Sequence, residues 1–226
     1  LLEDGICDFV GLGRSQLADP EFMKKARTGR TDEIRPCIGC LYCRERVLGQ
    51  GLPIRCAVNA CPAREAELSA LRQDGMGRTV AVVGGGPAGM EAARVLALRK
   101  FRVILYESKA NLGGMLNVAD KPPLKEQITQ LVRSMQLQLE RLGVEIHCQT
   151  TARPELVAAR CPAGVILACG ATPLVPALPG MDRPQVVTAE AVITGVAAVR
   201  GRTVIIGSGL TGLETAAMLL HDGISV

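Results

Sequence analysis

From residue 79 onward the apolar positions fall alternately into short continuous runs and longer stretches with helical spacing. TVAVV (79–83) is an uninterrupted, largely β-branched run, the pattern of a strand buried on both faces. The loop GGGPAG leads from it into a helix expected over about residues 88–100, and RVILYE (102–107) supplies the next strand. A longer helix is expected to begin near Pro123, a residue favoured at the first helical position. Its apolar residues Leu124, Ile128, Leu131, Val132, Met135, Leu139 and Leu142 share one face, and Gly143 ends it. VEIHC and GVILACG read as two more short strands, and TVIIG (203–207) opens a second strand–glycine–helix unit. Strands alternating with helices in this way predict an α/β fold with parallel sheets.

Upstream the pattern is less regular. ICDFVGL (6–12) reads as a short buried strand, and residues 20–28 as a polar helix. A cysteine-rich segment follows at 36–62, and residues 63–77 form a charged, helix-like linker ending in glycines. The expected organisation is therefore a cysteine segment (36–62), a linker (63–77), a nucleotide-binding domain (78–200) and the start of a second one (201–226).

Composition narrows the class. With 226 residues, 48% apolar and 21% charged, the chain can bury a substantial core and is not of disordered type. The net charge of +4 is spread along the chain and aromatic residues are scarce, so a nucleic-acid surface with clustered cations and stacking platforms is not expected. No run reaches the roughly 18 to 20 apolar residues that a membrane-spanning helix needs, and no signal peptide is visible. Nine unevenly placed cysteines fit a reducing compartment, with the cytoplasm as the expected location. The chain opens on LLEDGICDFVGLG without an initiator Met and closes on HDGISV, which reads as a piece of a longer chain.

The glycine loops carry the first chemistry. VVGGGPAGMEAARVL places Gly84, Gly86 and Gly89 between a strand and a helix. One glycine serves the tight turn, one the approach of a pyrophosphate to the backbone, and one the packing of helix on strand. The helix N-terminus offers free N–H groups and a positive dipole to the phosphates. Glu107 ends the next strand, 23 residues after Gly84, where an acid is placed to accept ribose hydroxyls. IIGSGLTGLETAAMLL repeats the arrangement with Gly207, Gly209 and Gly212, and its ribose-reading residue would fall at or past the last residue. Two dinucleotide units in series suggest one for flavin and one for nicotinamide.

Cys37, Cys40, Cys43 and Cys56 form a C-x2-C-x2-C-x12-C series. Zinc sites more commonly use two separated pairs. Three closely spaced thiols and a remote fourth follow the ferredoxin-like pattern of a 4Fe-4S cluster, in which each iron takes one cysteine. Gly39 lets the first turn bend, and Pro36 and Pro53 stiffen the approaches. Zinc or free thiols stay open as alternatives; Cys61 reads as a buried structural thiol, with substitution as the fourth ligand the alternative. Cys7, Cys148, Cys161 and Cys169 read as small core hydrophobes, and His147 and His221 as structural residues with no nucleophile placed beside them.

In order, GLGRSQLADPEFMKKARTGRTDEIRPCIGC, CAVN, VVGGGPAGMEAAR, GGMLNVADKPPLKEQI and IIGSGLTGLE resemble the C-terminal part of a known family. These are the NADH:flavin oxidoreductases that fuse an old-yellow-enzyme barrel to a reductase module: 2,4-dienoyl-CoA reductase, enoate reductases and trimethylamine dehydrogenase. The resemblance implies a relay in which NAD(P)H reduces FAD, the 4Fe-4S cluster passes single electrons, and FMN in the barrel reduces an activated C=C bond of a small-molecule substrate. It implies that residues 1–35 are the last strand and exit of a flavin barrel, with Gly13 and Arg14 matching the FMN-phosphate contact. For FAD it adds Ala88, Gly114 and Met115 of the GGMLN loop, Lys125 and the backbone near Ala152. VILACGATP resembles the family's Ala-Thr-Gly segment, with Cys169 in place of Thr.

The cysteine spacing matches the amine-dehydrogenase branch, since dienoyl-CoA reductases place one more residue between the second and third cysteines. The intact second glycine motif matches the NAD(P)H-using reductases instead. The two features point to different relatives and leave the substrate unnamed. Two other readings compete with the relay. One is a non-redox module with ADP held structurally in the first site and zinc on the cysteines, against which the intact second motif speaks. The other is an electron-input subunit like the small subunit of glutamate synthase, against which the GLGR…LADP lead-in speaks.

Overall fold

The computed structural model describes residues 3–68 and 70–226; the expectations that extend to residues 1–2 and to residue 69 of the linker lie outside it. Its centre is a four-stranded parallel sheet of β1 (Thr79–Val83), β2 (Arg102–Tyr106), β3 (Glu145–His147) and β4 (Gly164–Leu167), in the order β3-β2-β1-β4. β1 lies inside, with Val82 opposite Leu105 on one side and Ile166 on the other. Ala81 and Val82 are fully buried, as a strand covered on both faces requires. The strand order reverses between β1 and β4, so a crevice opens at their C-terminal ends, where open α/β sheets hold ligands.

The pleat sends alternate residues to opposite faces. Val80, Val82, Val103 and Leu105 join Met90, Ala93 and Leu96 of the Pro87–Leu98 helix and Leu131, Met135 and Leu139 of the Glu126–Arg141 helix in the main core. Ala81, Ile104 and Tyr106 face the other way, against Val157 of the Pro154–Ala158 helix. Gly143 at φ +70° ends the long helix as expected. The start of that helix differs. Leu124 takes φ +64°, which is not helical, and lies 85% exposed, so the helix begins at Glu126 and Leu124 leaves the buried face.

Two expected strands do not form. Residues 6–12 carry no strand, with Phe9 91% exposed, and the first regular element is instead a short helix, Arg14–Ala18. TVIIG (203–207) pairs with no strand among the described residues; Thr203 N–H donates to Ser225 O at 2.8 Å, while Val204 and Ile206 are exposed. Parallel strands draw their hydrogen bonds from neighbours far away in sequence, and the described residues bring none to these segments. Of the 63–77 linker, only Glu65–Leu68 is helical. The polar helix expected over residues 20–28 is present as Phe22–Arg27.

The cysteine segment and its lead-in rest on the α/β unit. Ile38 and Val58 pack against the main core, and Arg141 at the end of the long helix pairs with Asp32 at 3.1 Å and with Glu33. Leu139 is fully buried in this core. Leu139→Ala is expected to lower stability by about 2 to 5 kcal/mol, whereas Leu124→Ala on the exposed turn should stay within about 0.5 kcal/mol. Urea unfolding followed by circular dichroism measures both.

Candidate functional site

The first glycine loop is built by contact between backbones. Gly84 ends β1 at φ +108°, and a Cβ there would meet Ala168 O at 2.2 Å. A Cβ on Gly89 would lie 1.8 Å from Gly84 O, so only glycine lets the helix start this close to the strand. Gly86 stands at the N-cap in an extended conformation, and among the described residues no side chain caps this end. The first N–H groups of the helix are therefore offered to a ligand. Gly113 N–H donates to Gly85 O at 2.8 Å and brings the GGMLN loop alongside. A Cβ on Gly114, which has φ +55°, would come within 2.8 Å of Gly86 Cα, so two backbones meet with no side chain between them. Ala88 lies exposed in the first helical turn and Met115 lies exposed on the neighbouring loop.

Glu107 is 7% exposed and anchors this cradle. Its Oε2 accepts the Gly85 N–H at 2.7 Å; its Oε1 accepts the Lys109 N–H at 2.7 Å and the Ser108 hydroxyl at 3.2 Å. A carboxylate offers about four acceptor sites, so capacity remains for a ribose hydroxyl. The clamp from Glu107 to Gly85 was not legible in the motif, which marks the acid only as a ligand contact.

The second loop repeats the geometry. Gly207 has φ +115°, Gly209 caps the Leu210–His221 helix in an extended conformation, and a Cβ on Gly212 would lie 2.1 Å from Gly207 O. Lys125, expected near flavin, forms an ion pair with Glu214 of this helix at 2.6 Å and so joins the two glycine units. Ala152 packs against the second face of the sheet.

Cys37, Cys40, Cys43 and Cys56 line one pocket, together with Ile38, Leu41 and Val58. Gly39 at φ +68° and Leu41 at φ +56° turn the chain back after the first and second cysteines. Among the described residues no group of three or more His, Cys, Asp or Glu side chains is disposed to hold a single metal ion. Burial pushes the Cys56 thiol above its ordinary value, against the opposing effect of the Val58 and Asn59 backbone N–H groups directed at its sulfur. Those N–H groups favour the thiolate, the form that binds metal. Cys61 does not line this pocket; its N–H donates to Asn59 Oδ1 at 3.1 Å. Arg14, at the start of the first helix beside Gly13, lines the cysteine pocket with Leu17.

His147 stacks on Tyr106 with ring centroids 5.3 Å apart and contacts Glu145 at 2.8 Å, a structural placement. No helix among the described residues is long and apolar enough to cross a membrane.

Residues 78–226 match the model of the pyridine nucleotide-disulphide oxidoreductase family. The chain belongs to this family. It is 41% identical over its whole length to the NADH oxidase of Thermoanaerobacter brockii, covering 36% of that protein. It is 38% identical to the bilirubin reductase of Mediterraneibacter gnavus, covering 100% of this chain and 35% of the relative. The solved structure of 2-naphthoyl-CoA reductase in complex with 2-naphthoyl-CoA superposes with a TM-score of 0.93 at 27% identity, covering 99% of this chain and 34% of that one. The chain thus spans about a third of the length of the relatives it matches. These relatives bear out the resemblance to the fused flavin oxidoreductases and the Rossmann-like α/β fold.

Gly89→Ala is expected to force the helix off β1 and to abolish FAD binding, read as loss of flavin-fluorescence quenching on titration into apoprotein. A second expectation concerns Glu91, on the same helix. Burial pushes its carboxyl up, but hydrogen bonds and charge from Arg94 and Arg35 outweigh this and hold it below the ordinary value of 4.5. Its pairing therefore adds stability that is full above that value and is lost as the pH falls through the depressed one. Urea midpoints of the native chain should drop more steeply below about pH 4.5 than those of Glu91→Gln.

Proposed function

We propose that this chain is the electron-input module of an NAD(P)H-dependent iron–sulfur flavoprotein oxidoreductase. The first glycine cradle takes FAD: the N–H groups after Gly86 meet the pyrophosphate, Glu107 accepts a ribose hydroxyl, and the Gly114–Met115 loop flanks the flavin. The second cradle, with Gly207, Gly209 and Gly212, takes the nicotinamide nucleotide. Membership of a pyridine-nucleotide family supports both assignments.

The four cysteines are the ligands of a 4Fe-4S cluster in this reading. The observation that carries it is that four thiols distant by up to 19 residues line one pocket, and that this pocket's Ile38 and Val58 pack on the core of the first nucleotide unit. A cubane takes one cysteine at each of its four irons, and the C-x2-C-x2-C-x12-C spacing follows that pattern, whereas zinc more commonly takes two separated pairs. When bound, the cluster supplies one-electron transfer between a two-electron donor and its acceptor. The chain's own residues bind the nucleotides, place Ile38, Leu41 and Val58 beside the sulfurs, and aim the N–H groups of Val58 and Asn59 at the Cys56 sulfur, opposing the upward push that burial gives its thiol.

The acceptor in this reading is FMN in a barrel that the lead-in residues would leave, with Gly13 and Arg14 at the barrel's end. The reduced substrate is a small molecule with an activated C=C bond. The segment boundaries proposed are 36–62 for the cluster, 63–77 for the linker, 78–200 for FAD and 201–226 for the start of the nicotinamide unit.

Anaerobic purification with iron, sulfide and zinc analysis and an absorption spectrum tests this. A broad shoulder in the blue with about four irons and four sulfides per chain, lost in Cys40→Ser, is the expected outcome. Zinc in place of iron, or iron unchanged in Cys40→Ser, would sink the cluster assignment.

A further inference from the structure

A polar chain with Arg35 and Asp19 buried and Glu91 and Arg94 partly buried runs through the junction of lead-in, cysteine segment and nucleotide unit. Arg35, two residues before Cys37, is 8% exposed. Its Nη1 donates to Val58 O, two residues past Cys56, and its Nη2 donates to Glu91 Oε2 at 3.2 Å. Glu91 lies two residues past Gly89 on the nucleotide-binding helix, and it accepts two further bonds from Arg94, at 2.6 Å and 2.9 Å. The Arg35 backbone N–H donates at 2.9 Å to Oδ2 of Asp19, which also accepts from Lys25 Nζ at 2.6 Å. A single guanidinium thus holds the entry of the cysteine segment to its exit, and both to the helix that begins at the first glycine cradle.

Stability alone is a poor reason for such an arrangement. Desolvating buried ions offsets much of their attraction, and apolar replacements of similar volume are often neutral or better. What a guanidinium adds is geometry: a planar fork of donors with fixed directions, which an ammonium on a flexible stem does not reproduce. Ile38 and Val58 press the segment on the core but are non-directional, so they leave its orientation free. The Arg35 fork removes that freedom.

We propose that Arg35, braced by Glu91 and Arg94, is the positioning residue that sets the cysteine site against the first nucleotide cradle for electron transfer between them. The inference rests on the reading of the cysteines as a cluster and of the first cradle as a flavin site. Arg35 touches neither cofactor in this role; it acts through Val58 on the loop that carries Cys56, and through Glu91 on the helix that carries Gly89. Tunnelling between two centres falls steeply with separation, so a loop that drifts relative to the helix slows transfer without altering the nicotinamide reaction.

The test uses the full-length protein, purified anaerobically and reduced with NADH or NADPH in a stopped-flow instrument. Flavin bleaching reports hydride transfer, and the following change in cluster absorbance reports flavin-to-cluster transfer. Arg35→Met removes the fork and Arg35→Lys keeps only its charge. Glu91→Ala breaks the brace at a helical position that favours alanine but leaves Arg35 without its carboxylate, so its urea midpoint is read beside the transfer rate. Expected in all three is flavin reduction close to the native rate, with flavin-to-cluster transfer slowed about tenfold or more. The Arg35→Met/Glu91→Ala double variant should be no slower than the slower single variant, since both remove one link. Glu91→Ala with full iron and native transfer would overturn the inference, as would a lowered urea midpoint with the transfer rate unchanged. Native protein without iron would remove the cluster reading beneath it, an outcome distinguishable because it is read before any variant is made.

Discussion

The closeness of backbone to backbone at the end of β1 is the constraint on which the remainder of the chain depends. The position a Gly89 Cβ would occupy lies 1.8 Å from Gly84 O, and that of Gly84 lies 2.2 Å from Ala168 O. The helix can therefore leave the strand at once and lie on β1 and β2, and β4 can pair with β1 on the other side. The same closeness packs Gly114 on Gly86 with no side chain between them and leaves the first N–H groups of the helix uncapped, as a pyrophosphate-binding turn requires. Fold and ligand cradle are one feature here. The second unit reproduces it to within 7° in the φ of its first glycine, from +108° at Gly84 to +115° at Gly207.

The cysteine segment is organised by other means. It has no regular element longer than the five-residue turn Glu45–Gly49 and no core cluster of its own among the described residues. Its order comes from left-handed turns at Gly39 and Leu41, from Ile38 and Val58 seated on the neighbouring core, and from Arg35. So short a segment gains much of its stability from what it docks on and what it ligates. The segment therefore sits on the nucleotide unit through Ile38 and Val58 rather than on a flexible tether.

Relatives named as an NADH oxidase, a bilirubin reductase and a 2-naphthoyl-CoA reductase share this stretch while covering it with only about a third of their length. That differently named oxidoreductases share this stretch agrees with the electron-input role proposed above for it.

Much of this was legible from the chain alone. The sheet strands at 79–83 and 102–106, the glycine turns and the cysteine spacing are local signals, written in residue type and period, and local sterics and pleat enforce them. The strands expected at 6–12 and 203–207 were also well patterned, yet they do not form, because a parallel strand is completed only by neighbours distant in sequence. The start of the long helix moved for a smaller reason, the left-handed turn at Leu124. Bonds from a side chain to a distant group carry no local mark at all: Glu107 with the Gly85 N–H, Lys125 with Glu214, and Arg35 with the Val58 carbonyl and Glu91. Sequence by itself determined where the chain turns and which groups could bind nucleotide or metal. Only tertiary structure decided which of those groups meet, since hydrogen bonds and ion pairs act over a few ångströms and chain separation does not predict them.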